Sequence, residues 1–543
     1  MVKIHNKVVY GGPALSIPGH LNFGQFVLDE LRKICETKAD CVALINGETG
    51  EKTTYKILLQ GLVNIGSGLR KLGVKRGDVV ALCSENRVEY LAAALGALTC
   101  GACITPLNAQ YTKDEMTHVL NISKPNLVLC SAAAIQANYA TFKTLPFIKT
   151  IIQINGVPIE RNVLSYKDIA VQTDVQDYEA EDVQGSTDIC YLLYSSGTTG
   201  LPKGVMLSHV NVLYSLAYFN EREDLIEDIT LLTVVPWYHA YGLMSTVNYI
   251  LVKKKLVYLP GFNPRVYLNA IQEHKVNVLV AVPPIVVFLG KSPLAKQYDL
   301  SSVFAVWCGA APLTSDTIND ALKSLPNCMG VFQGYGMTET SLAATTDADI
   351  EKSKPGSAGY PLKGVKVKVV DLETRKRLGC NETGEVCLKG PINMKGYAGN
   401  DAATREMFDD EGYLKSGDIG YYDNDGCFFV VDRLKELIKY KGSQVPPAEV
   451  ESVVLEHPGV AECAVVGAPD DAAGELPTAF VVSKQNVHLT QKDIIDFAAQ
   501  RLSSAKRLHG GVIFIDAIPK NPSGKILRRV LRQQLKQYRK SKL

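Results

Sequence analysis

Short apolar runs punctuate this chain, separated by segments whose apolar residues recur every three or four positions. Between about Asn22 and Asp347 the runs include Val79–Cys83, Leu127–Ala132, Thr150–Ile154, Ile189–Tyr194, Leu231–Val235, Leu256–Leu259, Val276–Val282 and Val303–Cys308. Near-continuous Val, Ile and Leu over so short a span predicts strands buried on both faces. Thr54–Leu72 and Val88–Leu98 carry the helical period between or beside them. This alternation predicts α/β layers on mostly parallel sheets. After about Ser353 the pattern changes. Val365–Val370, Gly384–Lys389 and Gly426–Val431 are short strands divided by Gly-, Asn- and Asp-rich turns, which predicts a small antiparallel or barrel-like unit. Asp423-Asn424-Asp425-Gly426 lacks the spacing of a calcium loop and reads as a hairpin turn. Strands give way to a charged segment at Asp432-Arg433-Leu434-Lys435, which places a domain boundary there. Beyond it a helix (Ala448–Glu456), strands (Cys463–Val466, Ala479–Val482) and a final helix suffice for a separate α+β domain.

Composition narrows the picture. A chain of 543 residues with 46% hydrophobic content has room for several compact cores. Its 58 basic and 56 acidic residues nearly cancel, so no global charge points to nucleic acid or an acidic membrane. Tyr90–Thr112 and Ile229–Val252 are long and uncharged, but Gly, Pro, Asn, Gln and His interrupt them, and they read as buried core rather than membrane spans. Thirteen cysteines run from Cys35 to Cys463 without a second pair at zinc-site spacing. Cys100-Gly101-Ala102-Cys103 sits in an apolar run and reads as buried thiols. An odd cysteine count with no secretory leader points to a reducing compartment. The segment Lys525–Leu543 has eight basic and no acidic residues, and Val530, Leu531, Leu535 and Tyr538 recur at helical spacing, which predicts a packed surface helix. Ser541-Lys542-Leu543 is the tripeptide read as a peroxisomal address, so a peroxisomal location and an import-receptor partner are expected.

The chemistry is concentrated in a few strings. The run Ile189–Tyr194 empties into Ser195-Ser196-Gly197-Thr198-Thr199-Gly200-Leu201-Pro202-Lys203-Gly204. Glycines let backbone N–H groups approach an anion, hydroxyls add donors, and the lysine supplies a point charge. The spacing is not that of a Walker loop. The string reads as a nucleotide-phosphate loop, against the alternative of a polar turn between a strand and a helix. Pro236-Trp237-Tyr238-His239-Ala240-Tyr241-Gly242 puts one histidine at a strand end. Gly309-Ala310-Ala311-Pro312 offers small residues against which a flat ligand could lie. Gly334-Tyr335-Gly336-Met337-Thr338-Glu339 combines an aromatic face, a hydroxyl and a carboxylate, and Ser416-Gly417-Asp418 puts an acid where a ribose diol could be held. Each alone is more often a turn, a cap or a core residue. Several follow strand ends, where α/β proteins bind ligands.

Taken together with Asp432-Arg433, Lys439-Tyr440-Lys441-Gly442 and Asn521-Pro522-Ser523-Gly524-Lys525, these strings resemble the adenylate-forming superfamily of acyl-CoA synthetases, peptide-synthetase adenylation domains and beetle luciferases. The resemblance spans essentially the whole chain and leans toward the luciferase-like fatty acyl-CoA synthetases of insects. It implies a large N-terminal domain (1–432) of two α/β subdomains plus a small β-barrel, followed by a mobile α+β C-terminal domain (433–543). The implied reaction is that of an acid–thiol ligase. A carboxylic acid attacks the α-phosphate of ATP, and coenzyme A then takes the acyl group from the adenylate. By resemblance Ser195 to Lys203 would hold the β- and γ-phosphates, Glu339 would hold Mg²⁺, and Thr338 would meet the α-phosphate. Tyr335, within Gly334 to Gly336 and beside Gly309, Ala310 and Ala311, would pack on adenine. Asp418 and Arg433 would hold the ribose, and Lys525 would reach the reacting oxygens. Rotation about a hinge at Asp432 would then exchange Lys525 for the face bearing Lys439 and Gly442. His239 would lie between the phosphates and an acyl pocket of Ser215, Tyr241, Ser245, Leu342 and Ala343. Where beetle luciferases carry an arginine and a serine beside luciferin, this chain has Ser215 and Leu342, which suits an alkyl chain. A medium- to long-chain fatty acyl-CoA synthetase with little or no luminescence is therefore expected. The alternatives are a luciferin monooxygenase, a coumarate-type ligase, a peptide-synthetase module and a ligand-binding pseudoenzyme.

Overall fold

Two large sheets face each other across a shared layer of helices. The computed structural model describes the chain except for residues 1, 196–201, 221–227, 312, 314, 348–352, 442, 471, 485–486, 521–525 and 541–543. One sheet has eight strands, in the order Gly396–Tyr397, Lys203–Ser208, Ile189–Ser195, Cys103–Leu107, Val79–Cys83, Leu127–Cys130, Thr150–Gln153 and Leu164–Ser165. The other has nine: Tyr360–Pro361, Thr345–Thr346, Val331–Tyr335, Ala305–Cys308, Val278–Ala281, Thr230–Thr233, Lys255–Tyr258, Val42–Asn46 and Lys52–Thr54. The middle of each sheet is parallel; both edges of the nine-stranded sheet and the Gly396–Tyr397 edge of the eight-stranded one are antiparallel, while its Leu164–Ser165 edge is parallel. The predicted apolar runs coincide with these strands, their ends displaced by a few residues.

Alternation along one strand shows why the runs are continuous. Val80 and Leu82 face the core shared by both sheets. Ala81 and Cys83 face a second core, roofed by the helices Lys113–Ser123 and Ala132–Lys143. Both faces are buried, so both must be apolar. The shared core takes in the helices Phe23–Lys38, Tyr55–Lys71, Val88–Thr99 and Ala240–Leu251, and Val88–Thr99 is buried from Tyr90 onward. These helices approach closely through glycine. A Cβ on Gly24 would stand 2.6 Å from the Leu98 carbonyl oxygen, and one on Gly96 would stand 2.6 Å from the Ile65 side chain. One buried amide ties the sheets together. Asn86, just past the strand Val79–Cys83, donates to the carbonyls of Val235 and Leu259 (both 3.1 Å) and accepts the Trp237 N–H (2.8 Å).

The predicted β-unit is a six-stranded antiparallel sheet in linear order: Lys3–His5, Val8–Tyr10, Lys366–Val370, Gly384–Lys389, Leu414–Tyr422 and Phe428–Arg433. This replaces the expected barrel, since among the described residues no ladder joins its first and last strands. The first two strands, only three residues each, escaped sequence reading. Asp423 to Gly426 forms the expected hairpin turn, with Gly426 at φ +79°. Arg433 ends the last strand, paired with Asp418, so the strand carries the chain one residue past 432. The remaining residues build a five-stranded sheet around the long hairpin Val460–Asp470 and Gly474–Ser483, with cores of its own on both faces. The helix Arg528–Lys540 packs there through Leu531 and Leu535, as its spacing predicts. All thirteen cysteines are free, with Cys100 and Cys103 buried. No described helix is long and apolar enough to cross a membrane.

Two measurements test this packing. Asn86→Ala strands two carbonyls and an N–H in the core and should cost about 3 kcal/mol or more, seen as a lowered thermal midpoint. An unchanged midpoint would remove Asn86 as the inter-sheet tie. His209, fully buried, accepts the Phe23 N–H at 3.1 Å, and burial pushes its imidazole down to about 4. Between that value and the unfolded value near 6.5 the unfolded chain binds a proton that the folded chain does not. Stability is therefore full above that window and falls with acidification, by about 2 kcal/mol from pH 7 to pH 5. His209→Gln should flatten the pH dependence of the urea midpoint.

Candidate active site

Lys203 lies directly opposite Ser195, because Ile189–Ser195 and Lys203–Ser208 are an antiparallel pair. The connection between them thus joins two strands, not a strand and a helix. Its residues Ser196, Gly197, Thr198, Thr199 and Gly200 lie outside the described set. Both stems rest on the helix Lys113–Ser123. The Tyr194 hydroxyl donates to the Val119 carbonyl, and the His118 ring nitrogen meets the Pro202 carbonyl, each at 2.9 Å. Ser195 Oγ donates to Glu339 Oε1 at 2.7 Å. Glu339 sits on the 3₁₀ turn Thr338–Thr340 that follows the strand Val331–Tyr335 of the other sheet, and it is only 3% exposed. The Tyr397 hydroxyl donates to the same oxygen at 2.9 Å. Lys203 Nζ stands 4.9 Å from the centre of the Tyr397 ring. Burial, then the Glu339 carboxylate, holds the Tyr397 phenol well above its usual value, so it remains a donor. Sequence reading gave no sign of Tyr397. An isolated Gly-Tyr pair lacks a motif, and only the strand pairing of Tyr397 with Val205 brings it here.

A second cluster forms where the nine-stranded sheet meets the β-unit. The Tyr335 hydroxyl donates to Asp418 Oδ2 at 2.8 Å, and Arg433 Nε reaches Asp418 Oδ1 at 3.2 Å. Asp418 is held from below: its N–H donates to Ser416 Oγ (3.0 Å), and the Gly417 N–H donates to Glu385 Oε1 (3.0 Å), with Gly417 at φ +68°. Burial, then Asp418, raises the Tyr335 phenol, which stays protonated. Gly336 admits the returning chain, since a Cβ there would stand 2.2 Å from the Leu342 carbonyl oxygen. Ala310, Ala311, Gly334, Tyr335, Gly336, Asp418 and Arg433 all line one cleft of about 1290 Å³. Lys520, Ile526 and Arg528 of the C-terminal unit face them across it. Lys520 and Ile526 form a β-bridge on either side of 521–525, so Lys525 itself falls outside the described residues.

His239 opens the helix Ala240–Leu251, and its side chain makes no cap bond. Burial pushes its imidazole down to about 4, so it is neutral at physiological pH. The Tyr241 ring packs under Gly309, and its hydroxyl donates to the carbonyls of Trp307 (3.2 Å) and Ala281 (3.4 Å). Ser245 Oγ donates back to the Tyr241 carbonyl. Leu342 packs against the shared apolar core, and Ala343 is buried. Ser215, expected in the acyl pocket, is 0% exposed on the helix His209–Asn220, and its hydroxyl has no partner among the described residues. It therefore shapes that region from within rather than as an open wall. Lys439 is exposed on the strand Ile438–Tyr440, its N–H held by Glu475 at 2.9 Å, and it does not line the cleft. Gly442 lies outside the described residues, as do Ser541-Lys542-Leu543.

Comparison with known proteins agrees with this geometry. Residues 31–398 match the model described as "AMP-binding enzyme", and residues 449–525 match "AMP-binding enzyme C-terminal domain". The chain is 39% identical to luciferin 4-monooxygenase of Nipponoluciola cruciata, over 93% of this chain and 94% of that one. It is 36% identical to 4-coumarate–CoA ligase 3 of Arabidopsis thaliana, over 96% and 93%. ATP-bound MatB from Rhodopseudomonas palustris shares the fold with a TM-score of 0.84 at 28% identity, over 95% and 99% of the two chains.

The second cluster yields a direct test. Asp418→Ala removes the acceptor shared by Tyr335 and Arg433 and should weaken ATP about tenfold or more in calorimetric titration. An unchanged dissociation constant would take Asp418 out of the nucleotide site.

Proposed function

The chain belongs to the AMP-binding enzyme family and is an AMP-forming acid–thiol ligase, and from that premise we propose that its acid is a medium- to long-chain fatty acid. One observation carries the choice of acid. Of the three hydroxyls in the expected acyl region, those of Tyr241 and Ser245 are bonded to backbone carbonyls and that of Ser215 is fully buried in its helix, while Leu342 adds only apolar surface. An acid with its own phenol would find no exposed, uncommitted hydroxyl there, whereas an alkyl chain needs none.

In the first half-reaction a carboxylate oxygen bonds to the α-phosphorus of ATP and the bond to the bridging oxygen breaks, releasing pyrophosphate. Charge gathers on phosphoryl oxygens, so the protein contributes positioning and electrostatics. Lys203 supplies positive charge to the β- and γ-phosphates. Asp418, oriented by Tyr335 and Arg433, accepts from the ribose hydroxyls. Mg²⁺ fits Glu339. Both described donors fall on Oε1, leaving Oε2 for a cation, and no second acidic or histidine cluster stands by among the described residues. A cation that prefers one carboxylate plus phosphate oxygens suits that sparse donor set. It would supply charge to the leaving pyrophosphate. His239, neutral, can line the path of the acid without competing as a counter-ion. In the second half-reaction the thiolate of coenzyme A attacks the acyl carbonyl, forming the thioester and expelling AMP. Lys439, away from the cleft in this orientation, belongs to that step through reorientation of the C-terminal domain.

Thioester formation measured over acids of graded length should rise from short to medium or long chains and fall for coumarate. Preference for coumarate would replace this reading with the aromatic one. Bright emission with luciferin, ATP and oxygen would replace it with the monooxygenase.

A further inference from the structure

The segment around Tyr397 is the crosspiece between two groups that come from different sheets. On one side it pairs with the strand that Lys203 opens: Ala398 N–H donates to the Gly204 carbonyl (2.8 Å) and Lys395 N–H to the Met206 carbonyl (2.9 Å). On the other side the Met394 N–H donates to the Glu339 main-chain carbonyl (2.8 Å). The segment is itself fixed, because the Tyr397 N–H donates to Thr404 Oγ1 (2.9 Å) and a Cβ on Gly396 would crowd the Thr404 side chain at 2.8 Å. From this crosspiece the buried Tyr397 side chain reaches both charged groups at once. Its hydroxyl bonds the Glu339 carboxylate and its ring face receives the Lys203 ammonium. The two ends of one side chain thus use two independent interactions, a charge-assisted hydrogen bond and a cation–π contact.

We infer that Tyr397 is a positioning residue for nucleotide binding, with its hydroxyl orienting Glu339 for the cation and its ring orienting Lys203 for the phosphates. The inference rests on the proposed roles of Glu339 and Lys203. Oε1 of Glu339 is taken by two hydroxyls, and Lys203 is drawn to an aromatic face.

Substitution separates the two ends. Tyr397→Phe keeps the ring and deletes the hydroxyl; Tyr397→Leu deletes both. Calorimetric titration of the full chain with ATP, once with Mg²⁺ and once with a chelator, reads each end. The Phe variant should bind Mg·ATP about tenfold more weakly while binding metal-free ATP within about twofold of the parent. Its intact metal-free binding also reports a folded site. The Leu variant should be weakened toward both forms. A Phe variant that binds Mg·ATP like the parent, or one weakened equally toward both forms, overturns the assignment. Glu339→Gln and Lys203→Ala, titrated alongside, distinguish the two levels. If they too bind Mg·ATP like the parent, the reading of the phosphate site fails and the inference falls with it. If they are weakened and the Phe variant is not, only the inference fails.

Discussion

The spacing between two sheets governs everything at this site. Ser195 ends a strand of one sheet and Glu339 follows a strand of the other, yet they meet at hydrogen-bond distance. That separation is set by the helices sealed between the sheets, and their closest approaches run through Gly24 and Gly96. A methyl group at either would push helix from helix and move the sheets apart. Close-packed interiors transmit such a shift rather than absorb it. Asn86 fixes the same gap by polar means, since its three bonds cross from one sheet to two strand ends of the other. The catalytic geometry is thus a property of the core.

The C-terminal unit obeys a different constraint. It has separate cores on both faces of its sheet, so its stability does not depend on one orientation against the large unit. Among the described residues its ties across are few. The Asp432 carboxylate, raised in affinity for a proton chiefly by burial, accepts the Ala448 and Arg433 N–H groups at the junction, and Lys291 reaches the Ala461 carbonyl. In this orientation residues flanking 521–525 face the cleft while Lys439 faces away. With so few bonds across among the described residues, the reorientation proposed above would not unpack a core.

What the sequence revealed, and what it hid, follow from range. Strands such as Val79–Cys83 were legible because both of their faces are buried, which writes the burial into consecutive residues. The helix Tyr55–Lys71 was legible from its period, and Thr54 caps it. Glu339, Asp418 and Arg433 were found because they sit in strings, each with turn residues of a recognisable kind. Tyr397 was not, because its role comes from partners 58 residues away at Glu339 and in the strand that Lys203 opens, and nothing local encodes that meeting. The return of the chain at Lys203 into an antiparallel strand was hidden for the same reason. Val205, Met206 and Leu207 could equally have continued into a helix until the partner strand was known. Ser215 shows the converse limit: its place in a string is readable, but its complete burial in the helix His209–Asn220 is not.

Specificity for the acid is therefore a matter of which polar groups are left over. A hydroxyl already bonded to a backbone carbonyl offers a substrate little, because recruiting it strands that carbonyl at a cost of about 1–3 kcal/mol. Tyr241 and Ser245 each donate toward two carbonyls, so each would have to give up such a partner to greet a phenol. Each methylene buried against Leu342 and the shared core instead contributes about 0.8 kcal/mol with nothing to break. Two or three methylenes already outweigh what a single new polar contact could return after that loss. The clusters around Glu339 and Asp418, proposed above to meet the nucleotide, stand apart from this balance. On the proposed reading, one scaffold keeps its adenylating end fixed while the residues along the helix Ala240–Leu251 and after Glu339 decide what is activated.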